Sequence, residues 1–302
     1  MEGFEMGKVK VLTARQAADL IKDGDTVTLS GFVANGIAEA LNAAAEERFL
    51  ETGHPKDLTL FWVAGTGNKD GSHADHYAHE GMVKKVIGGH FNFVPKICEM
   101  LSENKIEGYN VPQGAIAQML RDNAAHKVGT ISHVGIGTFA DPRNGGGRLS
   151  EKTKEDIVKV IELEGQEQLF YPRIPLDVAF IRGTYADELG NITLEKEMAP
   201  LDATSQAMAV HNNGGLVVVQ VERVVKAGHL DPKLVKIPGI YVDAVVECPA
   251  DDPKQSQSIN CTYDPAYAGN TQVPVSSLEP KKLDAKKIIG RRAAMELKKN
   301  VV

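Results

Sequence analysis

The sequence predicts an α/β protein built on an open, mostly parallel sheet with helices on both faces. Three observations carry that prediction. Residues 58–64 (LTLFWVA), 178–181 (VAFI) and 216–221 (LVVVQV) are almost unbroken apolar runs, the pattern of strands covered on both faces. Segments with a helical apolar period separate such runs, for example Ile37, Ala40, Leu41, Ala44 and Ala45. Glycine-rich loops follow the strand ends, so strands and helices alternate as they do in α/β folds. The buried strands expected in this one sheet are 27–30, 58–64, 131–135, 178–181 and 216–221.

In chain order, residues 9–12 read as a leading strand, and Thr13 as the N-cap of a helix carrying Ala17, Ala18, Leu20 and Ile21. Asp23-Gly24 turns into the strand at Val27 and Leu29, and the loop SGFVANG (30–36) leads into a helix from Ile37. That helix stops at Gly53, with Pro55 beyond it. A second glycine loop spans 65–71, a short helix is expected at 79–86, and a strand end at 86–90. Residues 94–101 are helical and 106–109 extended; Asn110-Val111-Pro112-Gln113-Gly114 then leads into an amphipathic helix through Ile116, Met119 and Leu120. DPRNGGG (141–147) reads as an exposed flexible loop, ADELGNI (186–192) as a hairpin, and 241–246 as the last strand of the sheet. Residues 249–283 lose the apolar period and resemble a linker, and 285–299 form a basic amphipathic helix. Residues 300–302 read as a strand start. A further α/β unit is therefore expected after it, so 1–283 are assigned to one domain and 284–302 to the opening of a second half.

Composition narrows the function classes. With 302 residues, 42% of them hydrophobic and 25% charged, the chain has ample material for a core. A formal charge of −6 argues against general nucleic-acid binding. No apolar run approaches the roughly 18 residues of a spanning helix, and residues 1–10 lack the apolar core of a signal peptide. Three widely spaced cysteines, Cys98, Cys248 and Cys261, fit reduced thiols, so a cytoplasmic protein off the membrane is expected.

The loop at 30–36 organises the rest of the chain. Gly31 and Gly36 permit backbone shapes and close approaches that a Cβ would forbid. A strand-loop-helix corner offers free backbone N–H groups and a helix N-terminus, which suit developing negative charge. The loop itself carries no carboxylate, thiol or histidine, so it does not supply a nucleophile. Gly135-Ile136-Gly137-Thr138-Phe139-Ala140 matches a dinucleotide fingerprint, but Asp141-Pro142 and three glycines follow where a helix must open. His76 and Glu80 could share a helix face and bind a metal, yet no further ligand is evident and a polar loop is the preferred reading. Gln113, at a turn between strand and helix, is either a ligand contact or an exposed residue of a capping turn.

Taken together, these pieces resemble the family I CoA-transferases. Asp23-Gly24, Leu29, Gly31-Phe32 and Gly36 follow that family's amino-terminal signature, while Thr28, Ser30 and Ala38 depart from it. Pro112-Gln113-Gly114 is similar to its second active-site segment, and Glu80-Gly81-Met82-Val83, 186–191 and 237–243 recur at similar places. The resemblance is closest to the long propionate and acetate CoA-transferases, which carry segments like 110–118 and 134–143. It implies a mechanism in which a glutamate attacks an acyl-CoA thioester, giving a mixed anhydride and then an enzyme-CoA thioester. It places that glutamate in a carboxy-terminal half, for which this sequence holds no counterpart motif; Glu39 and Glu80 do not occupy it.

The resemblance implies an oxyanion or acyl pocket formed by Gly31, Phe32, Asn35, Gly36, Asn110, Gln113 and Gly114. It implies no catalytic nucleophile in this chain, no metal, and no cofactor beyond coenzyme A as substrate. The expected partner is a carboxy-terminal half, in an oligomer of complete units. The chain alone would then be inactive. Two other classes stay open: a self-sufficient, thioesterase-like acyl-CoA enzyme, and a non-catalytic ligand- or phosphate-binding module.

Overall fold

The computed structural model describes residues 7–299. Five strands and four helices open the chain: β1 (Lys10–Leu12), α1 (Ala14–Ala18), β2 (Thr26–Leu29), α2 (Glu39–Thr52), β3 (Leu58–Trp62), β4 (Val83–Gly88), α3 (Pro95–Ser102), β5 (Glu107–Asn110) and α4 (Gln113–Ala124). A three-stranded excursion follows, β6 (Gly129–Ser132), β7 (Lys159–Leu163) and β8 (Gln166–Pro172). The chain then returns through β9 (Val178–Arg182), β10 (Tyr185–Asp187), β11 (Ile192–Thr193), α5 (Ala203–Asn212), β12 (Leu216–Val221), β13 (Arg223–Val225), β14 (Val235–Ile237) and β15 (Ala244–Glu247). Helix α6 (Ala285–Ala294) closes the described structure.

Eight strands form the central sheet in the order β1-β15-β12-β9-β2-β3-β4-β5, and every neighbouring pair is parallel. From β2 the chain winds outward through β3, β4 and β5; it then returns to β9, beside β2, and winds outward the other way. Alternate side chains of each strand feed two cores. Val27, Leu29, Leu58, Leu60 and Trp62 pack under α1, α2 and α3 on one face. Phe61, Ile87, Ala179, Ile181 and Val219 pack under α4 and α5 on the other. Burial on both faces explains the unbroken apolar runs.

Local chemistry sets the helix limits. Thr13 accepts from the Gln16 N–H at 3.1 Å while Gln16 accepts from the Thr13 N–H at 2.9 Å, a reciprocal capping box that starts α1. Gly53, at φ 72°, ends α2 in the left-handed conformation expected of a C-cap glycine. Asp187 accepts from the N–H groups of Leu189 and Asn191, folding the predicted turn between β10 and β11.

Several expectations need correction. Residues 131–135 are not a strand of the central sheet. Their strand, β6, lies in a separate antiparallel sheet ordered β6-β8-β7, and Ile131 is 48% exposed on its outer face. Nor do residues 79–86 form a helix: a 3-10 helix at His73–Tyr77 precedes them, and β4 begins at Val83 because Val83 and Val86 are needed in the sheet. The stretch 141–147 is built into the body. Asp141 is buried and accepts from the Gly137 N–H at 2.9 Å, and the Asn110 N–H donates to the Gly147 carbonyl at 2.7 Å. Helix α2 begins at Glu39, two residues later than expected. The linker-like stretch also folds back in part, with Gln255 and Gln257 buried against the sheet end. Residues 300–302, read as a strand start, lie outside the described residues.

Candidate functional site

All eight strands run parallel, so their carboxyl ends share one edge. In doubly wound sheets ligands bind at that edge where the winding reverses, here between β2 and β9. The loop after β2 is tightly made. Phe32 and Asn35 exchange both backbone hydrogen bonds at 2.9 Å, and the Ser30 hydroxyl donates to the Gly36 carbonyl at 2.6 Å. Ser30, where the family signature has glycine, thus holds the loop closed. A Cβ on Gly31, at φ +122°, would collide with Ile37 Cδ1 and stand 2.9 Å from the Asn35 carbonyl. Val33 adopts φ 54°, a conformation that a β-branched residue rarely takes. It is held there from both sides, because its N–H donates to the Gly65 carbonyl at 2.6 Å and its carbonyl accepts from Gly67 at 3.0 Å. Strain of this kind is typical of functional loops. Among the described residues, the N–H groups of Gly31, Ala34 and Gly36 have no partner.

Gly31, Phe32, Asn35 and Gly36 therefore stand together. Asn110, Gln113 and Gly114 stand at the same sheet edge but after β5, which is three positions from β2. At about 4.8 Å per strand this is roughly 14 Å along the sheet. The two groups thus stand three strands apart, whereas the single pocket that the resemblance implies calls for them side by side. The loops after β3 and β4 lie between them, and Gly89 touches Gln113 closely enough that a Cβ would approach Gln113 Cα to 3.3 Å. Gln113 and Gly114 are exposed at the start of α4, while the Asn110 amide donates to the Gly88 carbonyl at 3.1 Å.

At the switch point a crevice of about 380 Å³ opens. Its floor is Arg182, the last residue of β9 and only 4% exposed. Arg182 Nε donates to Glu197 at 3.1 Å, and its Nη1 donates to the Ser256 carbonyl. Burial pushes the Glu197 carboxyl up, against the pull of Arg182. Residues 253–260 form the far wall, held by Gln220. The Gln220 amide donates to Gln255 at 2.6 Å and to the Lys254 carbonyl at 2.9 Å, and Gln220 accepts from the Ala40 N–H at 2.8 Å. These bonds recruit part of the linker-like stretch into the site.

Glu39 and His73 close the near wall. Behind them runs a chain of alternating histidines and carboxylates. Glu39 pairs with His73 and His76 at 2.8 Å each, Glu46 also pairs with His76, and His79 stands 2.6 Å from Glu46. Burial pushes the Glu39 carboxyl up, but the bonds from His73 and His76 outweigh it and hold it down at about 2. His76 is raised: burial lowers it, and Glu39 and Glu46 more than offset that. The pairing weighed from sequence, His76 with Glu80, does not occur. Glu80 points to solvent near Lys105.

Arg182, Glu197 and the His-Glu chain escaped sequence reasoning. Arg182 did leave a signal, as a lone cation ending the apolar run of β9. His76 was noticed in the sequence but beside Glu80; its true partners Glu39 and Glu46, and their pairing with His73 and His79, left no signal because a 3-10 turn and a helix far apart in sequence assemble them.

A doubly wound α/β sheet with a strained glycine loop and a charged crevice at its switch point has its crevice where such folds bind ligands. The family model described as Coenzyme A transferase matches residues 11–248, and the chain belongs to that family. It is 41% identical over 98% of its length to an acetate CoA-transferase (YdiF) of Escherichia coli K12, of which it covers 55%. To a caffeate CoA-transferase of Acetobacterium woodii it is 40% identical over 96% of its length, covering 55% of that protein. The chain thus spans about half the length of these curated relatives. The crystal structure of the acyl-CoA transferase YdiF from Escherichia coli O157:H7 superposes with a TM-score of 0.89 at 40% identity, over 96% of this chain and 55% of that one. Glutaconate coenzyme A-transferase of Acidaminococcus fermentans, at 22% identity, TM-score 0.63 and coverage of 80% and 76%, shares the fold. Among the described residues, no helix is long and apolar enough to cross a membrane.

Proposed function

We propose that this chain is the amino-terminal half of a CoA-transferase that moves CoA between a short-chain acyl-CoA and a free carboxylate. The observation that carries the reading is the 41% identity, across nearly the whole chain, to an acetate CoA-transferase about twice as long. In the proposed reaction a glutamate carboxylate of the carboxy-terminal half attacks the thioester carbonyl, and CoA thiolate leaves as a mixed anhydride forms. The thiolate then attacks the glutamyl carbonyl, releasing the first carboxylate and leaving a glutamyl-CoA thioester. The acceptor carboxylate reverses both steps.

Carboxylates are weak nucleophiles, so the barrier falls only if each tetrahedral oxyanion meets fixed donors. The unpartnered N–H groups of Gly31, Ala34 and Gly36 supply such donors, on a loop already held rigid. Gln113, roughly 14 Å away along the sheet edge, is beyond the span of a short acyl chain from these donors and takes no part in the acyl site. The partner is the carboxy-terminal half, complete units associate as oligomers, and the cytoplasm is the proposed compartment. No metal and no resident cofactor takes part.

The test is an assay with propionyl-CoA and acetate, using this chain alone and then with the carboxy-terminal half supplied. Borohydride reduction and mass analysis locate any glutamyl-CoA thioester. Transfer only in the presence of the second half, with the adduct on that half, supports the reading. Robust transfer by this chain alone, or an adduct on Glu39 or Glu80, overturns it.

A further inference from the structure

We propose that the crevice floored by Arg182 is a binding site for the carboxylate group of a small organic acid, with Arg182 as its cationic anchor. This rests on the transferase reading for its biological meaning, but not for its geometry. A buried guanidinium is costly unless its N–H groups are matched. Arg182 has five such groups; Glu197 takes Nε and the Ser256 carbonyl takes Nη1, while Nη2 has no partner among the described residues. The side chain is thereby fixed in direction, at the reversal of strand order, with one edge of its planar fork unengaged. That is the arrangement that receives a carboxylate oxygen in a charge-assisted bond.

Two acidic residues also line the crevice, and both are engaged. Each Glu39 oxygen is held by a histidine, at 2.8 Å in both cases. Asp70 accepts from the Ser72 hydroxyl and backbone and from the Asn68 amide. Glu39 is paired with its histidines and the Asp70 oxygens are engaged by neutral donors, whereas the guanidinium faces a Glu197 whose ionisation burial opposes. Of the buried side-chain atoms without a partner among the described residues, one, His73 Nε2, belongs to a residue that lines this crevice.

Binding is read on the whole chain without any transfer reaction, by the line width of 13C-labelled acetate during titration with protein. Saturable broadening by acetate is expected, with none by acetamide, which matches acetate in shape and lacks its charge. Arg182→Lys should weaken acetate binding by roughly ten- to a hundredfold, the loss expected for a bond to a charged group. Equal broadening of acetate and acetamide by the unaltered chain refutes the proposal without recourse to any variant. So does a folded Arg182→Lys protein that binds acetate as before. Displacement of acetate by equimolar inorganic phosphate overturns the carboxylate assignment in favour of a phosphate site. Acetate binding by the chain, with no transfer even when the carboxy-terminal half is supplied, would sink the transferase reading and leave this site standing.

Discussion

Replacing Gly31 and Gly114 by alanine, one at a time, should change stability in opposite directions. Both glycines belong to the acyl pocket that the resemblance implies, so a purely functional view treats them alike. The structure does not. At Gly31 the backbone sits at φ +122°, and the added methyl group would strike Ile37 Cδ1 and stand 2.9 Å from the Asn35 carbonyl. The Ile37 side chain can rotate away at a cost of about 0.5–1.5 kcal/mol, and the positive φ adds about 1–2 kcal/mol. The carbonyl cannot yield without opening the Phe32–Asn35 pair. Gly31→Ala should therefore lose roughly 2–3 kcal/mol. Gly114 is the second residue of α4, with nothing within 4 Å of its Cβ position. Gly114→Ala should gain about 0.5–1 kcal/mol through helix propensity. Urea unfolding followed by circular dichroism, with slopes compared to confirm the same transition, measures both. Equal stability of Gly31→Ala and the parent chain would refute the loop geometry. A loss at Gly114 as large as that at Gly31 would refute the open environment assigned to it.

Val33→Gly should raise the unfolding free energy by about 1 kcal/mol, since glycine adopts φ 54° freely; the same urea titration would expose a loss instead. Leu60→Ala, at a fully buried site of β3, should cost about 2–5 kcal/mol and lower the thermal midpoint, and a cost below 1 kcal/mol would contradict its place in the core. The raised His76 contributes stability that is fully present below the ordinary imidazole range and is lost as pH rises through its elevated value; stability measured across that range should fall, and His76→Gln should flatten the profile. The depressed Glu39 acts in the other direction, its contribution being lost only as pH falls toward about 2. In the complete enzyme, Gln113→Ala should change transfer by less than about threefold, as befits an exposed residue three strands from the oxyanion loop, whereas a loss of about 2–4 kcal/mol would show that the loops bring it to the acyl site.

Much of the fold was legible because parallel strands covered on both faces must be apolar throughout. Residues 58–64 and 216–221 announced themselves for that reason, as did Gly53 at the end of α2. The loop at 30–36 was legible too, since Gly31 leaves no room for a Cβ and the helix after it has a clear period. Residues 131–135 (ISHVG) carry only two apolar side chains, so they lack the unbroken run of a strand covered on both faces, and their polar Ser132 and His133 fit the small antiparallel sheet in which Ile131 faces outward. Strand order, by contrast, was invisible. It is set by which crossover packs back on which face, and it places Gln113 three strands from Gly31 rather than beside it. Tertiary structure alone decided that residues 253–260 wall a crevice, through the bonds of buried Gln220, and that Glu39 and Glu46 meet three histidines from another segment. Each of these groupings joins residues about 30 or more positions apart. A local sequence pattern records what each residue needs from its neighbours along the chain; it does not record which distant group will meet a buried charge.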